Sequence, residues 1–312
     1  MSILHLCNTY FEHELAGLLP SSLEKTLEGL DPVFAQLQFL PLIYAEPGET
    51  IVVSTLPSEP TSGTISSWGP SLLIKKWADT QKLNYSIPPW ELVKRLNAKT
   101  YSFEKSPLPE GRLLEKQEPV PDHFVLKSSF GMAGRGHCMA TSSKATQFCQ
   151  REWKQGRLVI AEPWVERVFD FSTQWVIHSP EKIEFVGATS CITSPSGTHL
   201  ANTAGKIAHP GAVDEHKAFV LPVLQEMATL GYFGHVGIDA MLYTKGGKTH
   251  LQPIVEINGR KTMGWVALMQ QKKHGRPLTL RYQKMKEGLL PQSLGSMTFS
   301  KNLAIQEVDS NE

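Results

Sequence analysis

The chain has 312 residues and a mass of 34.7 kDa, and a prior of roughly 100 to 200 residues per domain allows two or three structural units. Lys and Arg number 31 against 30 Asp and Glu, a formal net charge of +1, which excludes the large electrostatic footprint of a nucleic-acid- or membrane-binding surface. Hydrophobic residues make up 41% and charged residues 20%, which indicates a globular protein rather than a disordered chain or a coiled coil.

The sequence also predicts the compartment of the protein. No run approaches the roughly 18 consecutive apolar residues of a membrane helix, and the start of the chain has no basic leader before Glu12 and Glu14. We therefore expect a cytoplasmic protein. Its four cysteines lack CxxC spacing, which predicts free thiols rather than a zinc site or a disulfide framework; they are Cys7, Cys138, Cys149 and Cys191.

The first third of the chain alternates strand and helix patterns and predicts a small α/β domain over residues 1–115. In chain order, the predicted elements are a strand at 3–6, helical segments over 21–43 with breaks at Pro32 and Pro41, a strand at 51–53, a loop at 57–69, and helices at 70–83 and 90–96. A proline-bearing connector at 107–121 then leads into the next part of the chain.

The rest of the chain predicts an α+β region over residues 116–290, followed by a tail at 291–312. Its predicted strands are 124–126, 138–140, 158–161, 169–177, 183–190, 236–242 and 249–257. Its predicted helices are 143–155, 210–230 and 263–274.

A glycine-rich run follows Lys127, with glycines at 131, 134 and 136. It is neither a Walker A loop, because no Gly-Lys-Ser/Thr follows, nor a Rossmann turn, because a strand comes next. A glycine hairpin between two strands can present backbone N–H groups to phosphates, with Lys127 as a point charge. The alternative is a flexible surface hairpin beside an ordinary lysine.

Three side chains with oxygen atoms fall on neighbouring predicted strands. Glu256 and Asn258 point to the same face because side chains alternate along a strand, and Asp239 on the partner strand can converge with them. Such hard donors suit Mg²⁺, which keeps open positions for phosphates. The alternative is a solvated sheet face, but the residues around Glu256 are apolar, which favours a paired or metal-bound carboxylate.

Several motifs of the sequence occur in the order and rough spacing of the ATP-grasp superfamily, which the chain resembles over about residues 90–275. The resemblance rests on Lys99, on Lys127 with its glycine hairpin, on the connector Glu162-Pro163-Trp164-Val165, on Asp239, and on Glu256-Ile257-Asn258-Gly259-Arg260. It is similar to the carboxylate–amine ligases of that superfamily, with a layout like that of D-alanine–D-alanine ligase.

The resemblance implies an α/β (α+β) protein with the ATP-grasp fold. The N-terminal α/β domain at 1–115 would be the pre-ATP-grasp domain, and two α+β subdomains would clamp ATP, a nucleotide lid at about 120–165 and a metal and substrate subdomain at about 166–290. A tail would occupy 291–312.

The resemblance also implies roles for individual residues. Lys99 and Lys127 would contact the phosphates, which would be covered by Ser128, Ser129, Gly131, Gly134 and Gly136. Glu162, Trp164 and Val165 would contact the adenine, and Asp170 would contact the ribose. Two Mg²⁺ ions, replaceable by Mn²⁺, would be held by Asp239, Glu256 and Asn258. Arg260 would face the substrate carboxylate or the acyl phosphate.

One position departs from the pattern of several amino-acid ligases in the superfamily. There, a basic residue two positions before the metal aspartate steadies the tetrahedral intermediate, whereas this chain has Gly237. His235 or Lys206 would have to take over that role. For His235 the alternative is a packed core histidine, and for Lys206 it is a solvated side chain.

The activity implied by the resemblance is ligation that consumes ATP and Mg²⁺ and releases ADP and phosphate. The expected partners are a small-molecule carboxylate and an amine, such as an amino acid or a peptide; nucleic acid and membrane are not expected, and a homodimer is compatible with the resemblance. Two alternatives stay open, a kinase that stops at phosphoryl transfer and a regulatory protein that binds ATP without turnover.

Overall fold

The computed structural model describes residues 2–57, 63–116, 118–119, 122–131, 136–285 and 287–308. Its N-terminal part contains a parallel sheet with the strand order β2-β1-β3, formed by β1 (Ser2–Leu6), β2 (Thr50–Val52) and β3 (Gly63–Ser67). The predicted loop at 57–69 was therefore wrong for residues 63–67. Buried Ile65 and the pairing with β1 make this stretch a strand despite its Ser- and Thr-rich sequence.

Five helices among the described residues flank this sheet. They are α1 (Phe11–Leu15), α2 (Leu23–Glu28), α3 (Pro32–Leu37), α4 (Pro41–Tyr44) and α5 (Leu72–Thr80). The breaks predicted at Pro32 and Pro41 are confirmed, and each proline begins a new helix because the first helical residue needs no backbone N–H donor. The hydroxyl of Ser71 caps α5 by accepting a hydrogen bond of 3.1 Å from the N–H of Ile74.

A second sheet, which we name the lid sheet, has the strand order β4-β7-β5-β6. Its strands are β4 (Arg112–Leu114), β5 (Phe124–Ser128), β6 (His137–Met139) and β7 (Val159–Pro163). Helix α8 (Ala145–Lys154) covers one face, where Phe148 packs with Leu126 and Val159. Because side chains alternate, Lys127 lies on the other face. Gly134 lies outside the described residues.

The large sheet is antiparallel and, within the described ranges, has the order β12-β11-β8-β9-β10-β13-β16. Its strands are β8 (Glu166–Ser179), β9 (Lys182–Thr193), β10 (His199–Ala204), β11 (Gly234–Lys245), β12 (Lys248–Asn258), β13 (Leu278–Lys284) and β16 (Lys301–Glu307), while β14 (Ser293–Leu294) and β15 (Met297–Thr298) form a separate hairpin. The sequence did not predict β10, β13 or β16. The last of these falls within the predicted tail and pairs with β13.

Helices cover both faces of the large sheet. On one face, α9 (Pro210–Thr229) packs with Trp175 and Val236. On the other, α10 (Met263–His274) contacts β9 and β10, and its predicted bounds are confirmed. The short helices α6 (Trp90–Asn97) and α7 (Lys99–Lys105) lie against β12. Among the described residues, we find no helix with the length and apolar character needed to cross a membrane.

His216 of α9 makes the stability of the fold depend on pH. Its Nδ1 donates to the carbonyl of Pro253 at 2.8 Å, so its Nε2 accepts from the hydroxyl of Thr173 at 2.6 Å. Burial lowers the pKa of His216 to about 4. The unfolded chain therefore binds the proton more tightly, and the stability present above pH 6.5 is lost as pH falls towards 4.

We expect the wild-type protein to lose about 2 kcal/mol of unfolding free energy through His216 between pH 7 and pH 5. Urea unfolding of the wild type and of His216→Gln at both values measures this. The variant, which carries no titrating imidazole, should lose less stability than the wild type over the same interval. An equal loss in both proteins would contradict the assignment.

Candidate active site

Two carboxylates face each other on the large sheet. Asp239 of β11 and Glu256 of β12 are directly paired in the antiparallel register, and Asn258 pairs with Gly237 one step along the same face. The Nδ2 of Asn258 donates to Oδ2 of Asp239 at 3.3 Å. Burial, followed by the charge of Glu256, raises the pKa of Asp239 to about 6. We name Asp239, Glu256 and Asn258 the acidic set.

The acidic set fits Mg²⁺. It offers two carboxylates, hard donors that leave coordination positions for phosphate oxygens, and beside them the amide of Asn258, whose oxygen accepts from Arg260. Asp239 and Glu256 place two carboxylates directly opposite each other, and a divalent cation would compensate their charge. In the part of the chain that the structure describes, no group of three His, Cys, Asp or Glu side chains is arranged around a metal position.

Lys99 connects the acidic set to the lid sheet. It begins α7, its ammonium pairs with Glu256, and its backbone N–H donates to the carbonyl of Ser129 at 2.8 Å. The hydroxyl of Ser102 accepts from the N–H of Ile257 at 2.9 Å, which fixes α7 against β12. The segment after β5 is thereby held next to the carboxylates.

The face of the lid sheet that α8 leaves free carries charged groups. Lys127 of β5 forms an ion pair with Glu162 of β7, and His137 of β6 lies opposite Lys127. Burial lowers the pKa of His137, and the next cause is the charge of Lys127, with smaller contributions from Lys99 and Arg167. Basic side chains from both sheets therefore converge on the space between them.

Arg167 and Asp170 lie on β8 at the border of this space. Both oxygens of Asp170 accept from Nη1 of Arg167 at 3.1 Å, and its Oδ2 accepts from the hydroxyl of Thr193 at 2.8 Å. The guanidinium lies 5.9 Å from the ring centroid of Trp164, whose side chain is partly exposed. Trp164 and Asp170 are thus linked through Arg167.

No family model matches the chain, and no curated protein matches it by sequence. Solved structures do match. An ATP-grasp superfamily protein from Archaeoglobus fulgidus superposes with a TM-score of 0.55 at 14% identity, over 99% of this chain and 100% of that one. A carboxyaminoimidazole ribonucleotide synthase from Aspergillus clavatus superposes with a TM-score of 0.51 at 12% identity, over 90% of this chain and 81% of that one. The chain has the ATP-grasp fold.

The fraction of the other chain that is covered differs between the matched structures. An N5-carboxyaminoimidazole ribonucleotide synthetase superposes with a TM-score of 0.52 at 14% identity, over 90% of this chain and 81% of that one. The match to the N5-carboxyaminoimidazole synthetase from Staphylococcus aureus has a TM-score of 0.48 at 10% identity and spans 65% of that chain, a little less than two thirds. The predicted α/β (α+β) class and the predicted ATP-grasp fold are confirmed.

Within the ATP-grasp fold, the structure brings the acidic set together with Lys99 and Arg260, and it places Lys127 and Glu162 on the facing lid sheet. The N–H of Ser128 donates to the carbonyl of Gly136 at 2.9 Å, which closes the described ends of the predicted hairpin. Gly136 has a φ of 85°, a left-handed conformation that favours glycine. Gly131 is half-buried, and Val165 packs beside the apolar cluster of Leu108, Met241 and Tyr243.

Arg260 and Lys206 occupy different places. Arg260 donates to Oδ1 of Asn258 at 2.9 Å and pairs with Glu12 of α1, so it joins the acidic set to the N-terminal part. Lys206 follows β10, which is three strands away from β11, about 14 Å at roughly 4.8 Å per strand. The structure does not bring Lys206 to the acidic set.

His235 lies on β11, and its Nδ1 is buried without a hydrogen-bond partner among the described residues. Burial, with a further contribution from the charge of Lys261, lowers its pKa to about 3. The imidazole is therefore neutral at physiological pH. His235 could be singled out from the sequence, whereas Lys261, His137, Arg167 and Glu12 could not, because the contacts that make them notable come from distant parts of the chain.

Gly237 is required by close packing. A Cβ atom there would lie 2.5 Å from Cγ2 of Thr262 and 3.1 Å from Oε1 of Gln174. Thr262 has little freedom to move, because its hydroxyl donates to Gln174 at 2.8 Å and caps α10 by accepting from the N–H of Trp265. The space that a basic side chain would need at this position is occupied.

We expect Gly237→Ala to lower the free energy of unfolding by about 1–3 kcal/mol through overpacking. Gly211→Ala is the matched control, because Gly211 lies in the first turn of α9 and a Cβ there meets nothing within 4 Å. Thermal unfolding of both variants gives the comparison. A Gly237→Ala protein as stable as Gly211→Ala would show that Thr262 can move aside.

Proposed function

We propose that the protein is an ATP- and Mg²⁺-dependent ligase that activates a carboxylate as an acyl phosphate, joins it to an amine, and releases ADP and phosphate. The observation that carries the proposal is the acidic set, in which Asp239 and Glu256 are directly opposed and adjoin Lys99 and Arg260. The ATP-grasp fold supports it. Among the matched structures of this fold, the Aspergillus clavatus synthase is complexed with ATP, and the N5-carboxyaminoimidazole ribonucleotide synthetase is complexed with ADP.

In the first step, a carboxylate oxygen of the substrate attacks the γ-phosphorus of ATP, the bond to the β,γ-bridging oxygen breaks, and ADP leaves. The amine then attacks the acyl carbon, phosphate leaves, and the nitrogen loses a proton. A carboxylate approaching a polyanion is repelled, so the site must supply positive charge. Lys99 and Lys127 supply it on the two sides of the space between the sheets, and Arg260 holds the substrate carboxylate.

The nucleotide would lie between the lid sheet and the large sheet. In this proposal Ser128, Ser129 and Gly131, with Gly136, lie over the phosphates, because Ser129 already contacts Lys99. Glu162 and the backbone of Trp164 and Val165 meet the adenine, and Asp170 meets the ribose. Mg²⁺ held by the acidic set would neutralise phosphate charge when bound. The proposal assigns no part to Lys206, because β10 is three strands away from β11.

Product analysis tests the proposal. Purified protein is incubated with ATP, Mg²⁺ and pools of small carboxylates, amino acids and short peptides, and the nucleotide products are separated by chromatography. We expect ADP only when a carboxylate and an amine are present together, with a condensed product of matching mass. ADP formed with one substrate and no condensed product would indicate a kinase. ATP binding without any ADP formation would indicate a protein that binds the nucleotide without turnover. AMP as the product would indicate a different activation chemistry.

A further inference from the structure

Lys261 is a buried cation at the junction between the N-terminal part and the large sheet. The residue is only 4% exposed. Its ammonium donates to the hydroxyl of Ser66 at 2.9 Å and to the carbonyl of Ser67 at 2.8 Å. It also lies 5.6 Å from the ring centroid of Tyr44 and 5.4 Å from that of Trp265. An ammonium has three N–H donors, so one of them has no oxygen acceptor among the described residues.

No carboxylate of the described residues pairs directly with this ammonium. Within the described ranges, Lys261 forms no ion pair, and Glu49, whose charge acts on it, pairs with His5. Burial lowers the pKa of Lys261 to about 8, although the thiol of Cys7 and the charge of Glu49 act in the opposite direction. A buried charge is costly unless it is paired, so an anion from outside the chain would be bound strongly at this point.

The groups around Lys261 lie at the protein surface. Tyr44, Ser66, Ser67, His235 and Trp265 are each partly exposed, while Lys261 lies at the floor between them. The ring of His235 is 5.2 Å from that of Trp265, and its Nδ1 is buried without a partner among the described residues. We name these six residues the Lys261 cup.

The topology places the cup where open α/β sheets bind ligands. In the order β2-β1-β3, the chain leaves the central strand β1 towards β2 and then crosses to β3, so the carboxyl ends of β1 and β3 flank a switch point. Ser66 and Ser67 end β3, and the carbonyl of Trp68 accepts from the backbone N–H of Lys261 at 2.9 Å. The floor of the cup therefore closes that crevice.

We propose that the Lys261 cup binds a carboxylate of the substrate, distinct from the carboxylate that is activated. The inference rests on the proposed ligase function and narrows its substrate class. His235 precedes Asp239 by four residues on β11, a separation of about 13 Å at roughly 3.3 Å per residue. The substrate thus carries this carboxylate away from its reacting group, and it passes around Thr262, which packs against Gly237 between His235 and Asp239.

Binding of succinate to the protein, with and without saturating MgADP, tests the cup. Calorimetric titrations compare the wild type with Lys261→Met, which keeps the side-chain length and removes the charge, at constant ionic strength set with sodium chloride. Lys217→Met is the matched control, because Lys217 lies 4.8 Å from the ring centroid of Phe185 but pairs with Asp214 on the opposite face of the sheet.

We expect Lys261→Met to weaken succinate binding at least tenfold while MgADP affinity stays within error of the wild type, and Lys217→Met to leave both affinities unchanged. Lys261→Gln serves if the methionine variant does not fold. Equal succinate affinity in the wild type and the neutral variant, or no succinate binding by the wild type, would overturn the proposal. A protein that binds succinate through Lys261 but not MgADP would refute the ligase function alone.

Discussion

Replacing Glu256 with alanine is expected to abolish ADP formation, with a loss of at least a thousandfold that brings turnover to the level of the assay blank. The substitution removes one of the two opposed carboxylates and leaves Asp239 and Asn258 as the remaining donors of the acidic set. It also leaves the ammonium of Lys99 without its partner. Both changes alter the arrangement of charge next to the phosphates, where the proposed reaction needs positive charge held in a fixed place.

A second ion pair on the same helix provides the control. Lys105, at the other end of α7, pairs with Glu226 of α9, whose side chain is more exposed. Glu226→Ala therefore removes a glutamate from a lysine of α7 without touching the acidic set. We expect Glu226→Ala to keep wild-type turnover and both variants to keep their circular dichroism spectra. ADP formation by Glu256→Ala at the wild-type rate would refute the metal role of Glu256.

The acidic set could be predicted because its arrangement follows from local rules. Side chains alternate along a strand, so Glu256 and Asn258 share a face once β12 is recognised, and the hairpin turn brings Asp239 opposite them. The bounds of α10 follow equally local signals, the cap at Thr262 and the left-handed Gly275 after its last residue. The confirmed helix and the candidate set both depend on neighbours in sequence.

Features that depend on distant residues could not be predicted. The partner of Lys99 lies 157 positions further along the chain, and only the folded sheet brings Glu256 to it. The strand β16 resembles a polar tail until β13 supplies its pairing partner. No pattern in the sequence around Lys261 distinguishes it, because its notable contacts are with Ser66 and Tyr44 in the N-terminal part. Tertiary contacts decide these cases.

Lys127→Ala is expected to raise the dissociation constant of ATP at least tenfold, because it removes a cation from the face of the lid sheet that borders the proposed nucleotide site. One complication comes from Glu162, whose side chain is only 8% exposed and pairs with Lys127. Removing one partner of a buried pair leaves an uncompensated charge and typically costs about 3–5 kcal/mol of stability. Weaker ATP binding by the single variant could therefore reflect unfolding rather than a lost phosphate contact.

The double variant Lys127→Ala/Glu162→Gln separates the two effects. Glutamine keeps the shape of the glutamate and removes the unpaired charge, so the double variant should recover most of the stability lost by Lys127→Ala. Its ATP affinity should stay low, because the phosphate contact is still missing. Calorimetric titration with ATP and thermal unfolding of the wild type, the two variants and Glu162→Gln alone measure both quantities, and the single variant Glu162→Gln accounts for any change at the proposed adenine contact. If ATP affinity recovers together with stability, Lys127 supports the lid sheet and does not bind phosphate.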